Sequence, residues 1–209
     1  MYSLKKQAFD PFFRKKFRIQ TPIQHVFDVT VEAGIRTLFE KDWKKFYKKA
    51  RSLVSKTRKK SLLACMHKIE KEQSDDEYSK RVLIKYIGKN VGYGVFAKED
   101  IPPYSTLNHY AGILRLDKEI EMNNDSTFNF TDFNKYSIDA VRYGNWTRFM
   151  NHADLKDPST NVIPWELYLP QGPRIVFTSG SRGILKGEQL LYSYGDLYWD
   201  EEEGFTQLS

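Results

Sequence analysis

Cysteine, histidine and long apolar runs are scarce in this sequence. Cys65 is the single cysteine among 209 residues. This excludes an intramolecular disulfide framework and a cysteine-rich zinc cluster, and it fits a reducing, intracellular compartment. The four histidines lack metal-ligand spacing, so we expect no zinc and no other metal site. No run of about 18 apolar residues occurs, and the first residues lack the apolar core of a secretory signal, so no membrane association is expected.

Negative charge is scarce in the first part of the chain. The formal net charge is +6. Residues 1–80 carry 20 Lys and Arg against 10 Asp and Glu, whereas the remaining residues carry 13 against 17. The two parts therefore have opposite electrostatic character, which predicts different roles. We place a boundary at the polar stretch 72–80, which gives a basic, mainly helical region (1–80), a second region (81–199) and an acidic tail (200–209).

One segment of the basic region has a clear helical pattern. Apolar residues recur at spacings of three and four from Phe39 to Val54, which predicts an amphipathic helix with lysines on its other face. Two interpretations stay open. The lysines form a solvated face on a helix that packs against the second region, or they form a contact surface for nucleic acid or chromatin. The Arg-Lys-Lys clusters at 14–16 and 58–60 suit phosphate contacts.

The second region consists of short β-prone runs separated by Gly, Pro, Asn and Asp. Only the segments 118–124 and 144–150 have helical character. We therefore predict a mostly β domain with several small sheets, preceded by a helical N-terminal segment, which makes the chain α+β.

Four short motifs in this region carry candidate chemistry. They are Gly-Tyr-Gly at 92–94, Tyr-Ala-Gly at 110–112, Arg-Phe-Met-Asn-His at 148–152, and a stretch with two tyrosines at 188–195. Glycines beside an aromatic residue let the backbone approach a ligand closely, and two tyrosines at alternate positions of a strand face the same side. Each motif alone is equally compatible with a turn or with core packing.

The order and spacing of the four motifs resemble the SET-domain family of protein-lysine methyltransferases, over roughly residues 81–199. The resemblance implies several short sheets around a knot-like crossing, where the Asn151-His152 segment passes the Tyr194 segment. S-adenosylmethionine would lie on one face, and the target lysine would enter through a narrow channel from the other. The absence of cysteine-rich zinc modules makes the chain similar to small bacterial or viral members. Among bacteria, it most resembles the SET proteins of chlamydiae, which act as effectors.

The resemblance also implies roles for individual residues. The catalytic residues would be Tyr194, Tyr110 and Tyr192. The cofactor would contact Val91, Tyr93, Gly94, Phe128, Arg148, Asn151, His152, Tyr194 and Tyr198. The substrate channel would be lined by Tyr110, Phe130, Tyr192, Trp199 and Phe205.

The implied activity is methylation of lysine in a basic protein, with a histone or histone-like protein as the expected substrate and a ribosomal protein as another. Tyr192 stands where the family carries Phe or Tyr, and its hydroxyl favours mono- or dimethylation. The alternative is a non-enzymatic DNA- or chromatin-binding protein with a degenerate SET fold. The location would be the nucleus, a bacterial cytoplasm or, after secretion, a host cell. Nucleic acid contact through residues 1–80 and a homodimer both stay open.

Overall fold

Short β-strands provide most of the regular structure. The computed structural model describes residues 11–19, 21–50, 64, 77–120 and 126–194. Its helices are α1 (Pro11–Phe17), α2 (Arg36–Ala50) and α3 (Glu77–Lys80). Its strands are β1 (Gln24–His25), β2 (Thr30–Val31), β3 (Val82–Gly88), β4 (Gly92–Ala97), β5 (Thr106–His109), β6 (Ile113–Leu116), β7 (Thr127–Asn129), β8 (Tyr136–Asp139), β9 (Tyr143–Gly144), β10 (Asn151–His152), β11 (Val162–Leu169), β12 (Gly172–Ser179) and β13 (Leu191–Tyr192).

Within the described residues, these strands form five small sheets. The largest has the order β2-β6-β8-β7, a second has the order β11-β12-β5, and β3 pairs with β4 as an antiparallel hairpin. Two parallel pairs, β1 with β9 and β10 with β13, join segments that are distant in sequence. The prediction of a mostly β fold with several small sheets and a helical N-terminal segment is therefore confirmed. Of the two segments predicted to be helical, 144–150 contains the 3₁₀ turn Trp146–Phe149, and 118–124 begins within the 3₁₀ turn Asp117–Glu119. Residues 121–124 lie outside the described residues.

The β3–β4 hairpin presents the first sequence motif to the rest of the domain. Val82 and Ile84 alternate with less buried positions along β3, as expected for a strand with one face on the core. Gly92, at the start of β4, has a φ of 77°, a left-handed conformation that favours glycine. The turn therefore returns the chain directly into the Tyr93–Gly94 segment.

Helix α2 packs on the β-sheets through its aromatic face. Phe39 and Trp43 are 3 % and 5 % exposed, and the indole Nε1 of Trp43 donates to the carbonyl oxygens of Leu169 and Pro170, at 3.2 Å each. The lysines on the opposite face are exposed. The part of the predicted helix beyond Ala50 lies outside the described residues.

The segment that precedes α2 is also part of the β architecture. Strand β1 pairs with β9, and β2 adds to the edge of β6. The carboxylate of Asp28, between β1 and β2, contacts the guanidinium of Arg174 in β12. Residues 21–50 therefore share one core with the second region, and the predicted boundary at 72–80 stays a prediction. None of the helices in the described segments is long and apolar enough to span a membrane.

Candidate functional site

The Asn151-His152 motif and the Tyr192-Tyr194 motif lie side by side. Strands β10 and β13 run parallel, with Asn151 opposite Leu191 and His152 opposite Tyr192. The backbone N–H of Ala153 continues this ladder by donating to the carbonyl oxygen of Tyr192 at 3.2 Å. Two motifs that are far apart in sequence thus form one crossing, as the sequence-based resemblance implied.

Asn161 holds this crossing together. Its side chain is buried, its Nδ2 donates to the carbonyl oxygen of Gln189 at 2.8 Å, and its Oδ1 accepts from the backbone N–H of Leu191 at 3.0 Å. One amide therefore satisfies two backbone groups of the segment that carries both tyrosines. The sequence analysis missed Asn161, because it stands alone in a loop-like stretch and no neighbouring motif singles it out.

Tyr194 is tied to the Arg148–His152 motif by two hydrogen bonds. Its hydroxyl donates to the carbonyl oxygen of Met150 at 2.9 Å, and its backbone N–H donates to Nδ1 of His152 at 3.1 Å. Because Nδ1 accepts this bond, a neutral His152 carries its proton on Nε2, which lies 3.1 Å from a carboxylate oxygen of Asp154. The crossing therefore holds Tyr194 at its backbone N–H and at its side-chain hydroxyl.

Gly94 lets the first motif approach the crossing. The side-chain Nδ2 of Asn151 donates to the carbonyl oxygen of Tyr93 at 3.1 Å. A Cβ atom at Gly94 would lie 2.7 Å from Nε2 of Gln189 and 3.3 Å from Nδ2 of Asn151. Glycine therefore lets β4 approach the crossing more closely than a residue with a Cβ atom could. Val91, just before this strand, is 57 % exposed.

Four aromatic rings form a cluster beside the crossing, which we call the aromatic cluster: Tyr110, Phe128, Phe177 and Tyr192. The ring of Tyr192 stacks on Phe128 at a centroid distance of 6.1 Å and lies 5.0 Å from Phe177. Tyr110 lies 5.6 Å from Phe128. The ring of Tyr194 lies at the edge of the aromatic cluster, with its centroid 4.8 Å from that of Tyr192.

The aromatic cluster contains one residue that the sequence analysis missed. Phe177 is fully buried in β12, whose eight residues are all buried. A strand that is buried on both faces has no alternation, so its pattern cannot reveal which residues face a site. Phe130, predicted for the channel, is 1 % exposed and lies in the hydrophobic core that also contains Tyr110, Phe177 and Tyr192.

Ser126 links two predicted site residues. The hydroxyl of Tyr110 donates to the backbone carbonyl oxygen of Ser126 at 2.8 Å. The guanidinium of Arg148 donates to the side-chain hydroxyl of the same serine. Arg148 itself stands in the 3₁₀ turn Trp146–Phe149, which begins where the side chain of Asn145 accepts from the N–H of Thr147 at 3.1 Å. The predicted residues Tyr198, Trp199 and Phe205 lie outside the described residues.

A partly buried charge cluster lies at the strand that leads to Tyr110. Asp28 Oδ1 lies 2.7 Å from Nε of Arg174 and 3.3 Å from Nε2 of His109, the residue before Tyr110. Burial raises the pKa of the Asp28 carboxyl, but the hydrogen bond with His109 and the charge of Arg174 outweigh it, so this pKa lies well below its usual range. Among the described residues, no group of three or more His, Cys, Asp and Glu could hold a metal ion.

Comparison with known families agrees with this geometry. The family model of the SET domain matches residues 92–195, the segment that contains all four motifs. The chain belongs to the SET-domain family. In the crystal structure of ATXR5 in complex with histone H3.1, the similar chain has a TM-score of 0.60 at 17 % sequence identity. That likeness covers 83 % of this chain and 81 % of the other, and it supports the SET fold.

The similar curated proteins are named histone-lysine N-methyltransferases. Human EHMT1 is 36 % identical over 123 residues, which are 55 % of this chain and 9 % of EHMT1. EZH2 of Chaetomium thermophilum is 32 % identical over 118 residues, 50 % of this chain and 7 % of that protein. The chain thus spans less than a tenth of the length of these relatives. Both are eukaryotic, and the resemblance to bacterial or chlamydial effectors stays a prediction.

Proposed function

We propose that this chain is a protein-lysine N-methyltransferase that uses S-adenosylmethionine. One observation carries the proposal: Gly94, the Asn151-His152 pair and Tyr194 meet at a single crossing, directly beside the aromatic cluster. Membership of the SET-domain family and similarity to named histone-lysine N-methyltransferases support the same activity.

The surface beside Gly94 is where we place the methyl donor. A Cβ atom there would crowd the neighbouring side chains, so glycine lets the backbone of β4 and the side chain of Asn151 lie close to a bound ligand. We assign donor binding to this surface, held by the residues Val91, Tyr93, Gly94, Phe128, Arg148, Asn151, His152 and Tyr194, with Tyr198 as a further contact. When bound, S-adenosylmethionine supplies a methyl group on a positively charged sulfur.

The aromatic cluster suits the target lysine. A free lysine has a pKa of about 10.4 and is protonated at neutral pH. A water-poor aromatic wall disfavours the charged form and lowers the pKa, so the amine can lose its proton to solvent before it reacts. Tyr194, held by Met150, and Tyr110, held by Ser126, have fixed hydroxyls that orient the neutral amine.

Tyr192 limits the size of the product. It is 6 % exposed and packs against both Phe128 and Phe177. A phenol in this position leaves less room for added methyl groups than phenylalanine would. We therefore assign mono- and dimethylation to this enzyme.

The proposed substrate is a basic protein, with a histone or histone-like protein first. Residues 81–209 carry four more acidic than basic side chains, and complementary charge speeds encounter with a lysine-rich segment. The enzyme would then act where such proteins occur, on chromatin or in a bacterial cytoplasm. A non-enzymatic DNA-binding protein with a degenerate SET fold is less well supported, because Tyr194, Asn151 and His152 are all held by hydrogen bonds at the crossing.

Radiolabelled S-adenosylmethionine tests the proposal. The wild-type chain should label core histones, and Tyr194→Phe should reduce the rate by about 100-fold or more, as expected when a group that orients the reacting amine is removed. Tyr104→Phe, at a 68 % exposed tyrosine, is the matched control and should keep the rate. The absence of label on any basic protein, or full activity in Tyr194→Phe, would contradict the proposal.

A further inference from the structure

Helix α2 presents a row of lysines on the side that faces away from the core. We call this row the lysine stripe: Lys41, Lys44, Lys45, Lys48 and Lys49. All five side chains are exposed, whereas Phe39, Trp43 and Ala50 on the opposite side are buried. Since residues three and four apart share one face of a helix, the stripe is continuous. At 1.5 Å per residue it extends over about 12 Å.

The stripe is held rigidly. Trp43 is fixed by its two indole hydrogen bonds to Leu169 and Pro170, and the ring of Phe46 packs on Phe133 with a centroid distance of 4.7 Å. The helix therefore cannot roll relative to the β-sheets without breaking buried contacts. A negatively charged partner would therefore contact a row of ammonium groups on a fixed helix.

Three lysines of the stripe keep their positive charge exposed. In the part of the chain that the structure describes, Lys44, Lys45 and Lys48 form no ion pair. Asp42, an acidic residue of the same helix, is engaged by Lys135 and by the hydroxyl of Tyr136. The pKa of its carboxyl is lowered by these hydrogen bonds, so it stays ionised and committed to that pair. The stripe thus forms a concentrated positive surface.

We propose that the lysine stripe binds the phosphate backbone of double-stranded DNA. Duplex DNA carries about one negative charge per 1.7 Å of its axis, so a row of about 12 Å can face several phosphates at once. Lysine ammonium groups act as point charges and suit contacts that carry no sequence information. The binding would therefore be independent of sequence and strongly dependent on salt.

Other occupants match the stripe less well. Binding of single strands relies on exposed aromatic side chains for base stacking, but the aromatic residues of α2 are turned into the core. A membrane surface or a protein partner would need apolar side chains between the charges. The large apolar residue exposed on α2 is Leu38, which precedes the stripe. This surface is separate from the proposed methyl-transfer site and does not depend on the proposed activity.

Fluorescence anisotropy with a labelled DNA duplex tests the inference. The whole chain is titrated at salt concentrations from about 50 to 200 mM, and the slope of log K against log salt is measured. The triple variant Lys44→Gln, Lys45→Gln, Lys48→Gln should lower the magnitude of this slope by about 2.7. The wild-type affinity should therefore fall about 40-fold more than that of the variant across this range.

A charge-matched control separates the stripe from the net charge. Lys118, Lys156 and Lys186 are exposed lysines outside α2, and their triple change to Gln should leave the slope as in the wild type. Circular dichroism should show that both triple variants keep their fold. Equal loss in both variants, no binding by the wild type, or tighter binding to duplex RNA or to anionic vesicles would each overturn the assignment to DNA.

Discussion

The hydroxyl of Tyr194 donates a 2.9 Å hydrogen bond to the backbone carbonyl oxygen of Met150. Met150 is 1 % exposed and directly precedes the Asn151-His152 strand. The position of the Tyr194 hydroxyl is therefore set by the other partner of the crossing rather than by its own segment. Any change that loosens the crossing should displace this hydroxyl, even when Tyr194 itself is unchanged.

Asn161→Ala should loosen the crossing most directly. It removes two partly buried hydrogen bonds, to the backbone of Gln189 and Leu191, and leaves both backbone groups without the amide that they contact. We expect a loss of about 3 kcal/mol in the free energy of unfolding. Chemical denaturation measures this loss. Methyl transfer should fall with it, even at temperatures where the variant is folded.

A substitution at Asn134 is the control, because it removes the same side chain from an exposed position. Asn134 is exposed, and Asn134→Ala should change stability by no more than about 0.5 kcal/mol. Equal stability of the Asn134 and Asn161 variants would show that Asn161 does not hold the crossing.

Gly94→Ala should affect donor binding more than folding. The added Cβ meets the ends of three side chains, Gln189, Ile87 and Asn151, and the flexible glutamine, which lies nearest, can move aside. The methyl group would nevertheless occupy the space that we assign to the donor. We expect weaker binding of S-adenosylhomocysteine in calorimetry, by about 10-fold or more, with a small change in melting temperature.

Gly112→Ala is the matched comparison, because it should affect folding more than donor binding. There a Cβ would lie 2.6 Å from the backbone carbonyl oxygen of Asp139, and backbone atoms in a sheet cannot move aside. This variant should be strongly destabilised. If Gly94→Ala instead unfolds the protein as readily, or binds the cofactor product normally, the donor space has been assigned to the wrong place.

Tyr192→Phe should raise the degree of methylation. Removal of the hydroxyl leaves the ring packing on Phe128 and Phe177 and adds a small space beside the amine. Mass spectrometry over a time course should show mainly mono- and dimethyl-lysine with the wild type and more trimethyl-lysine with the variant. Trimethylation as the main product of the wild type would contradict the role given to Tyr192.

The sequence predicted the motif residues of the site better than the residues that pack against them or hold them in place. The β-prone runs around Val95 and Ile138 became strands, and Tyr110, Phe128 and Tyr192 meet in one cluster, because alternation and motif order carry this information. Phe177 and Asn161 were not found. The first lies in a strand that is buried throughout, and the second acts through backbone atoms of a distant segment.

The two-residue strands of the N-terminal segment were also beyond prediction. Thr30 and Val31 in β2 pair with Ile113 and Leu114 in β6, far along the chain. A strand of two residues is too short to show alternation, and its pairing is a tertiary contact. The helix α2, with several turns of periodic apolar residues, was by contrast readable from its sequence.

The contact between Asp28 and Arg174 predicts a specific dependence of stability on pH. Because His109 and Arg174 hold the pKa of Asp28 below its value of about 3.9 in the unfolded chain, its contribution to stability is complete above that value. It is lost as the pH falls through the lower pKa of the folded state. Asp28→Asn should therefore be less stable than the wild type at pH 7, since Arg174, 9 % exposed, loses its counter-charge. The difference in stability should shrink as the pH is lowered from about 5 to 2.

Denaturant titrations of both proteins across this pH range measure the difference. The control Glu40→Gln, which removes an exposed carboxylate of α2, should follow the wild-type curve. A stability difference that stays constant with pH would show that Asp28 acts through its shape or hydrogen bonds rather than through its charge.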